Sequence, residues 1–264
     1  MAVGAIILKN EAEVELIRES SLLVGKALGE VSRLIKPGAS SLDLDRIAEE
    51  FIRDNGGIPA FKNYPGGPGV APFPGTLCLS LNEEVVHGIP SKDKVLTEGD
   101  IISVDCGVLK NGYFGDSAYT FAVGEVSSKK QRLLKITEES LYKGLEKAVV
   151  GNRLGDISNA IQFHVESHGY SIVQEMVGHG IGKDLHEPPE IPNYGRRNTG
   201  PVLTEGMVFA IEPMVNLGKR RIVVLKDGWT VKTSDGMPSA HFEHTIVVRK
   251  DKCEVLSSHG FIVK

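Results

Sequence analysis

The stretches VLTEGDIISVDCGV at residues 95–108 and VLTEGMVFAIEPMV at residues 202–215 decide the fold. Their first five residues are identical, and the apolar positions that follow stay in step. The alignment places Asp105 in register with Glu212, so that an acid recurs at the same point of an apolar strand. A core alone explains the repeated hydrophobic residues, but it does not explain the repeated acid. We therefore predict two related halves that face each other across a shared site.

A second pair of acids extends the repeat. Asp116 in FGDSAYTFAV holds a position like that of Glu243 in AHFEHTIVV. In the first half, Asn111-Gly112 is the preferred two-residue hairpin turn, and this turn would pair Gly107 with Asp116. Because strand side chains alternate, Asp105 and Asp116 then share one face as diagonal neighbours. We predict that their carboxylates lie within mutual reach.

Four carboxylates on apolar strands need compensating charge. Like charges in apolar surroundings repel each other and are costly to bury. A divalent cation, an arginine or a shared proton would each compensate them, and the hairpin itself contains no arginine. Four acids call for more positive charge than one ion easily supplies. The sequence therefore predicts a site for two metal ions, of the kind that aminopeptidases and phosphatases use.

Three histidines in loop-like settings are candidate partners of these acids. His179 lies between glycines in VGHGIG, His87 precedes a glycine in VVHGIP, and His186 follows in DLHEPP. A lone histidine is more often structural, but neighbouring glycines let the backbone turn tightly and expose the ring. The remaining histidines are expected on the surface or in the core (His164, His168, His259), or lie on faces that strand alternation does not assign (His241, His244).

Composition and charge exclude several classes of protein. The 264 residues are 41% hydrophobic and 24% charged, as in a soluble globular protein, and the net charge of −4 does not favour a membrane surface or a specific nucleic acid. The three cysteines form neither a disulfide framework nor a CxxC site, which indicates a reducing compartment. The first apolar run soon meets Lys9 and Glu11, so neither a signal peptide nor a membrane span is expected. We expect a cytoplasmic monomer.

Periodicity and turn residues predict a mixture of helices and antiparallel strands, the α+β class. A helix is expected from Glu11 to about Leu34, and a second helix from an N-cap at Ser41 to Gly56-Gly57. Residues 59–75 are too rich in Pro and Gly for regular structure. Two further helices are predicted at 128–149 and 156–168, the latter capped by Asp156. The predicted strands are residues 77–81, 101–109, 113–123, 207–216, 222–226 and 242–249.

Five motifs in order resemble the type I methionine aminopeptidases: LNEEVVHGIP, the ISVDCG and YFGDSAYTF hairpin, GHGIGKDLHEPPEIPNY, GMVFAIEPM and SAHFEHTIVV. The resemblance runs from about residue 11 to 258. It implies a single catalytic domain over residues 1–264 with the pita-bread fold, in which two pseudo-symmetric α/β halves have curved antiparallel sheets and helices outside. The halves would cover about residues 11–125 and 126–258, with two metal ions in the central cleft.

The resemblance also implies roles for individual residues. It makes Glu212 the acceptor of the water proton, and His87 and His186 catalytic and substrate-positioning groups. The substrate would be the initiator methionine of a nascent chain, met near the ribosome exit. The metal ions would be Co, Mn, Fe or Zn, with a monovalent cation (Na or K) held by carbonyls near Asn82, Glu84 and Ser239. The implied metal ligands are Asp105, Asp116, His179, Glu212 and Glu243, and the implied pocket for the methionine side chain is formed by Tyr64, Phe73, Leu185 and Trp229 with His87 and His186.

Some features depart from this family, and three rival classes are separable by sequence. Phe61 stands where a cysteine is usual, Leu185 where a phenylalanine is usual, and the loop at 65–72 is longer. Proline-specific peptidases of the same fold carry a large N-terminal domain for which residues before 11 leave no room. Type II methionine enzymes carry an insert that residues 180–243 lack. A non-catalytic binding protein on this scaffold would lose metal ligands, and all five are present here.

Overall fold

Four α-helices lie within residues 5–263, which are the residues that the computed structural model describes. The predicted domain and N-terminal segment therefore extend outside the described residues at 1–4 and 264. None of the helices within 5–263 has the length and apolar character of a membrane span. All four helices were expected, and they are α1 (Glu11–Ser32), α2 (Ser41–Asp54), α3 (Ser128–Leu145) and α4 (Leu154–Ser167).

Two predicted helix caps are wrong by one to three residues. The N-cap of α2 is Ser40, whose hydroxyl accepts a bond from the N–H of Asp43, while the Ser41 hydroxyl donates to Ser91 O. The N-cap of α4 is Arg153, and Asp156 is the third helical residue, whose carboxylate accepts the Arg153 N–H at 2.8 Å. In both cases a polar side chain near the helix start accepts a bond from a free N–H, but the N-cap lies one residue (α2) or three residues (α4) before the predicted position.

The strands within residues 5–263 pair antiparallel. Residues 60–75 have neither helix nor strand, as predicted, but Pro59, which was expected in the same irregular segment, ends a short strand. The strands are β1 (Ile58–Pro59), β2 (Leu77–Leu81), β3 (Glu84–Val86), β4 (Ile101–Lys110), β5 (Tyr113–Ala122), β6 (Ser171–Ile172), β7 (Gly178–Gly180), β8 (Glu187–Ile191), β9 (Val208–Ile211), β10 (Met214–Asn216), β11 (Ile222–Val224), β12 (Val231–Thr233), β13 (Ser239–His241), β14 (His244–Val247) and β15 (Glu254–Val255).

The first-half hairpin has the predicted register. Asn111 and Gly112 form the turn with φ of 52° and 80°, the left-handed values that a two-residue hairpin turn requires. Gly107 lies opposite Asp116, as the turn predicts. Strands β4 and β5 are continuous over ten residues each, and α1 packs against both. Asp105 and Asp116 consequently project from one unbroken hairpin.

The second half interrupts its strands at the acids. The predicted strand 207–216 is divided into β9 and β10 around Glu212 and Pro213, and the predicted strand 242–249 begins only at His244, as β14. Pro213 has no N–H to donate to a ladder. The N–H of Glu243 donates instead to Ala118 O in β5, at 2.9 Å. The interruption at Pro213 therefore occurs where the backbone has no N–H to donate. The interruption at Glu243 occurs where the backbone N–H bonds to the first half.

Hydroxyl groups complete this junction, which we call the seam: the contact between β5 and residues 241–245. Ser117 Oγ donates to Glu243 O, and Thr120 Oγ1 donates to His241 O, each at 2.7 Å. Thr245 Oγ1 donates to Asp116 O at 2.7 Å and accepts the Asp116 N–H at 3.2 Å. The seam places the Asp116 and Glu243 backbones side by side.

Each half has its own buried core on the helix side of the site. One cluster includes residues of α1 and α2 with β2 and β4, and the other includes residues of α3 and α4 with β9 and β14. The α+β class is confirmed. Several short strands were not predicted, because β7 is made of Gly178–Gly180 and β8 contains two prolines, residues that are rare in strands.

Candidate active site

A cavity of about 260 Å³ opens between the two halves. The first half contributes Asp105 from β4 and Asp116 from β5. The second half contributes Glu212, which lies between β9 and β10, Glu243, which lies between β13 and β14, and His179 of β7. All the residues predicted for the site line this one cavity: Asp105, Asp116, His179, Glu212 and Glu243, His87 and His186, and Tyr64, Phe73, Leu185 and Trp229.

The floor of the cavity fits a divalent cation. One ligand atom from each of Asp116, His179 and Glu243 lies within 4.8 Å of the others, and all three residues are buried. One oxygen each of Asp105, Asp116 and Glu243 is buried without a hydrogen-bond partner among residues 5–263. A buried carboxylate oxygen without a partner is costly, and a cation removes that cost. Oxygen and nitrogen donors of this kind suit Mn, Fe, Co and Zn.

The pKa values of the four carboxyl groups are all raised, as expected for buried acids with no cation beside them. Burial raises the pKa of Asp105 to about 7 and that of Glu212 to about 8. Burial and the charge of Asp105 raise the pKa of Asp116 well above its usual value, and burial and the charge of Asp116 do the same for Glu243. These carboxyl groups therefore hold protons near neutral pH unless a cation displaces them.

His179 presents a lone pair to the carboxylates. Its Nδ1 lies 2.9 Å from Gly180 O, which fixes the proton on that nitrogen. Nε2 is therefore unprotonated, and it lies 3.6 Å from Glu212 Oε1. Burial, and then the nearby His186 ring, lower the pKa of His179 to about 3, while the bond to Gly180 opposes the shift. A neutral imidazole held by its other nitrogen is the usual form of a metal-binding histidine.

His87 lines the same cavity and has a strained backbone conformation. It follows β3 with φ of 58°, a left-handed value that is uncommon outside glycine. The next residue must be glycine, because a Cβ at Gly88 would lie 2.3 Å from Leu79 O. Burial, and then the His241 and His186 rings, lower the pKa of His87 to about 4. The ring is therefore neutral and can donate one N–H into the cavity.

His186 lies on a loop that a buried ion pair secures. Its Nδ1 is 2.7 Å from the Tyr64 hydroxyl, and its ring meets the His179 ring edge-on at 4.4 Å between centroids. The adjacent Glu187 binds Lys9 Nζ at 2.5 Å, with both side chains almost fully buried. Glu187 also accepts the N–H of Lys183. The segment before α1 thereby fixes the loop that carries His186.

The pocket residues expected from the resemblance form an aromatic wall. The Trp229 ring packs edge-on against Phe73 at 5.3 Å, and its indole N–H donates to Ala71 O at 2.8 Å. The long 65–72 loop is thus bonded to the pocket. Further cavity-lining residues had not been assigned to the site: Phe61, Cys78, Val86, Glu175, Met176, Val177 and Met214.

The structure adds one histidine whose face the sequence left open. His241 is 1% exposed, and its Nε2 lies 3.4 Å from Glu212 Oε2. Strand alternation could not assign its face, because the strand is interrupted between His241 and His244. His244 points away from it: its ring stacks on that of His259 at 4.0 Å and bonds Ser257 Oγ.

Comparisons with known proteins identify the family of this chain. The model of metallopeptidase family M24 matches residues 15–250. A methionine aminopeptidase of Clostridium acetobutylicum is 52% identical over 252 residues, which cover 96% of this chain and 98% of the relative. The crystal structure of a methionine aminopeptidase from Thermotoga maritima superposes with a TM-score of 0.92 at 44% identity, covering 96% of this chain and all of that one.

The chain therefore belongs to metallopeptidase family M24. The resemblance read from the motifs and the pita-bread fold that it implied are confirmed. A prolidase from Pyrococcus furiosus shares the fold at a TM-score of 0.75 and 23% identity, with 96% of this chain and 65% of the prolidase covered. At that identity the likeness shows the fold alone.

Proposed function

We propose that this protein is a methionyl aminopeptidase, which removes the N-terminal initiator methionine from nascent proteins. The observation that carries the proposal is the convergence of four carboxylates and His179 on the floor of a cavity with an apolar, sulfur- and aromatic-lined wall. The methionine aminopeptidases at about half identity over nearly the whole chain support the substrate.

The proposed metal ligands are the five residues of the cavity floor. Four carboxylates carry more negative charge than one divalent ion offsets, so we propose two ions rather than one. Co, Mn, Fe and Zn all suit these donors. When bound, the ions lower the pKa of water and polarise the scissile carbonyl. The ligands are Asp105, Asp116, His179, Glu212 and Glu243.

Glu212 is the proposed acceptor of the proton from the attacking water. A carboxylate that lines the cavity can both take a proton and return it. The water oxygen bonds to the carbonyl carbon, and its proton passes to Glu212. The same proton then moves to the leaving nitrogen as the C–N bond breaks. Methionine and a peptide with a new free amine are the products.

His87 and His186 are proposed to stabilise the developing negative charge on the carbonyl oxygen. Both rings are neutral, because burial lowers the pKa of each. Burial also raises the pKa of Tyr64, whose hydroxyl stays protonated and can donate to His186 Nδ1. The proton of His186 then resides on Nε2, on the side away from Tyr64. Two N–H donors that line one cavity can both bond a carbonyl oxygen bound in it.

Methionine selectivity is assigned to the apolar wall of the cavity. Aromatic rings of Tyr64, Phe73 and Trp229 surround the space, and Leu185 closes one side. A thioether makes favourable contacts with aromatic rings and adapts to an irregular space. The carboxylate-rich floor favours a free α-amine next to the scissile bond, so cleavage is expected at chain ends only.

Peptide hydrolysis tests the function and its rival together. The protein with Mn²⁺, Co²⁺ or Fe²⁺ restored after chelation should cleave Met-Ala-Ser and leave X-Pro peptides intact. Glu212→Gln and His179→Ala should abolish turnover, and the surface variant His168→Gln should retain it. Full activity in thoroughly chelated protein would exclude the metal mechanism, and preferential cleavage of X-Pro peptides would replace methionine by proline specificity.

The remaining proposals concern the setting of the enzyme. We propose a cytoplasmic monomer, one catalytic domain over residues 1–264, which meets N-terminal methionine peptides and nascent chains near the ribosome exit and binds neither membrane nor specific nucleic acid. Sedimentation with translating ribosomes tests the encounter, and light scattering tests the monomer.

A monovalent cation, Na or K, is proposed near Asn82, Glu84 and Ser239. Asn82 O accepts the Ser239 N–H at 2.9 Å, and Lys130 Nζ lies 2.8 Å from Asn82 Oδ1. Replacing Na and K by a bulky organic cation should lower the midpoint of thermal unfolding. An unchanged midpoint would argue that Lys130 and Lys94, whose Nζ lies 2.7 Å from Glu84 Oε2, already supply the positive charge that this corner needs.

A further inference from the structure

His241 is a buried histidine beside the active site that has no part in the roles proposed above. It ends β13, and its side chain is 1% exposed. Its Nε2 lies 3.4 Å from Glu212 Oε2, a separation too long and too poorly aligned to be a formed hydrogen bond. Neither ring nitrogen bonds any other group in residues 5–263. A buried polar ring of this kind is costly unless it acquires a partner.

The seam fixes the backbone from which this ring projects. The His241 N–H donates to Thr120 Oγ1 at 2.9 Å, and Thr120 Oγ1 donates to His241 O at 2.7 Å. One threonine hydroxyl of the first half thus holds both sides of the His241 peptide. The His241 ring therefore stays close to Glu212. A small rotation of the Glu212 side chain would shorten the 3.4 Å separation between His241 Nε2 and Glu212 Oε2 to hydrogen-bond length.

The two oxygens of Glu212 face different neighbours. Oε1 faces His179 Nε2, which bears a lone pair because the His179 proton is on Nδ1. Oε2 faces His241 Nε2. If His241 carries its proton on Nε2, it can donate a hydrogen bond to Glu212, which His179 cannot do. A neutral imidazole carries one proton, and on Nε2 that proton would point toward Glu212 Oε2.

We propose that His241 is a positioning residue whose Nε2–H donates to Glu212 Oε2. This bond fixes the rotation of the carboxylate and leaves Oε1 to face the metal ligands and the water. The inference rests on the proposed function, because it is there that Glu212 accepts the proton. A catalytic hydrogen bond that is long in the isolated protein is expected to tighten when the carboxylate is ionised and becomes the stronger acceptor.

A pair of amide substitutions tests which nitrogen matters. The amide of glutamine reaches about as far as Nε2, whereas that of asparagine reaches about as far as Nδ1. His241→Gln should therefore keep both metal affinity and kcat within about threefold of the unaltered protein. His241→Asn should weaken metal binding or kcat by about 10–100-fold, the usual effect of removing a group that orients a ligand. Metal affinity is measured by calorimetry, without any substrate.

His241→Phe is the control for packing, since it keeps the ring and removes the donor. It should behave as His241→Asn does, with a thermal unfolding midpoint in chelator close to that of the unaltered protein. Equal behaviour of the Gln and Asn variants, or full metal affinity and kcat in the Phe variant, would overturn the proposal. If the unaltered protein fails to cleave Met-Ala-Ser, the proposed function fails instead.

Nuclear magnetic resonance of the unaltered protein gives a second test that does not depend on any variant folding. With ¹⁵N-labelled histidine and Zn²⁺ bound, at about pH 7.5, the proton of His241 should reside on Nε2. A proton on Nδ1 would contradict the donor role.

Discussion

The two halves bring the same kind of residue to the site by different means. In the first half, Asp105 and Asp116 project as diagonal neighbours from two unbroken ten-residue strands. In the second half, the flanking pairs, Ile211 with His244 and Met214 with His241, put Glu212 and Glu243 directly opposite each other where the strands are interrupted. The short acids lie on the rigid hairpin and the long acids lie in the gap.

This difference shows how a repeat can be specialised without losing its symmetry. An interrupted strand frees the backbone N–H of Glu243 to bond Ala118 of the other half. The extra methylene of glutamate restores the reach that the interruption takes away. The first half therefore supplies a fixed pair of carboxylates, and the second half supplies an adjustable pair, one of which is the proposed proton acceptor.

Exchanging the acids should produce the largest effect. Asp116→Glu places a longer side chain on the rigid hairpin, and Glu243→Asp shortens one that must span the gap. Each should lower kcat/KM by at least about 100-fold, beyond the upper end of effects seen for groups behind the ligands. Metal stoichiometry and kcat/KM are the measurements. Activity retained in the double exchange would mean that the halves are interchangeable, contrary to the comparison.

Removing one seam hydroxyl should destabilise the whole molecule. Thr245→Val keeps the shape but leaves the Asp116 C=O and N–H without their partner, at about 1–3 kcal/mol for each buried group. Thr137→Val is the matched control, because its hydroxyl bonds only Leu133 O of its own helix. Urea unfolding should separate the two variants by several kcal/mol. Equal stabilities would show that the halves are held together without the seam.

The metal-free protein should lose stability as the pH rises from about 6.5 to 8. The pKa values of Asp105 (about 7) and Glu212 (about 8) are raised above their ordinary values of 3.8 and 4.5, so the folded protein binds protons that the unfolded chain has released. Their contribution is complete below the ordinary values, is lost progressively as the pH rises above them, and is gone once the pH exceeds the folded-state values. Histidines with lowered pKa values act oppositely, but only below about 6.5.

Thermal unfolding in chelator measures this loss, which is about 1.4 kcal/mol per pH unit for each proton released. Asp105→Asn should flatten the lower part of the window, and Glu212→Gln the upper part. A midpoint that rises with pH over the same range would contradict the raised pKa values of Asp105 and Glu212.

The hairpin turn should show the smallest effect. Gly112→Ala forces a side chain into a φ of 80°, and about 1 kcal/mol is expected for this strain. Gly67→Ala serves as the control, because its Cβ would meet nothing within 4 Å. Urea unfolding of both variants gives the difference. If Gly112→Ala were neutral, the turn would not be what makes the first half rigid.

Local chemistry explains what the sequence predicted well. Asn111-Gly112 determines its own turn, and the turn determines the register that brings Asp105 and Asp116 together. The interruptions in the second half could not be read in this way. They arise from a bond between Ala118 and Glu243, which are far apart in the chain and belong to different halves.

The same cause hid His241. Strand alternation assigns a face only along an unbroken strand, and this strand is interrupted between His241 and His244. The glycines of β7 and the prolines of β8 were misread as loop because sheet pairing overrides their low strand propensity. The local composition of the loop before Phe73 was sufficient to predict its lack of regular structure.

The seam also sets the order in which the molecule can mature during synthesis. The first-half acids leave the ribosome more than a hundred residues before Glu243, the last of the proposed ligands. A chain that stops before Glu243 has the rigid hairpin but neither the final carboxylate nor the hydroxyl of Thr245. Tight metal capture is thus a property of the nearly finished chain, and a truncated product stays inert as a protease.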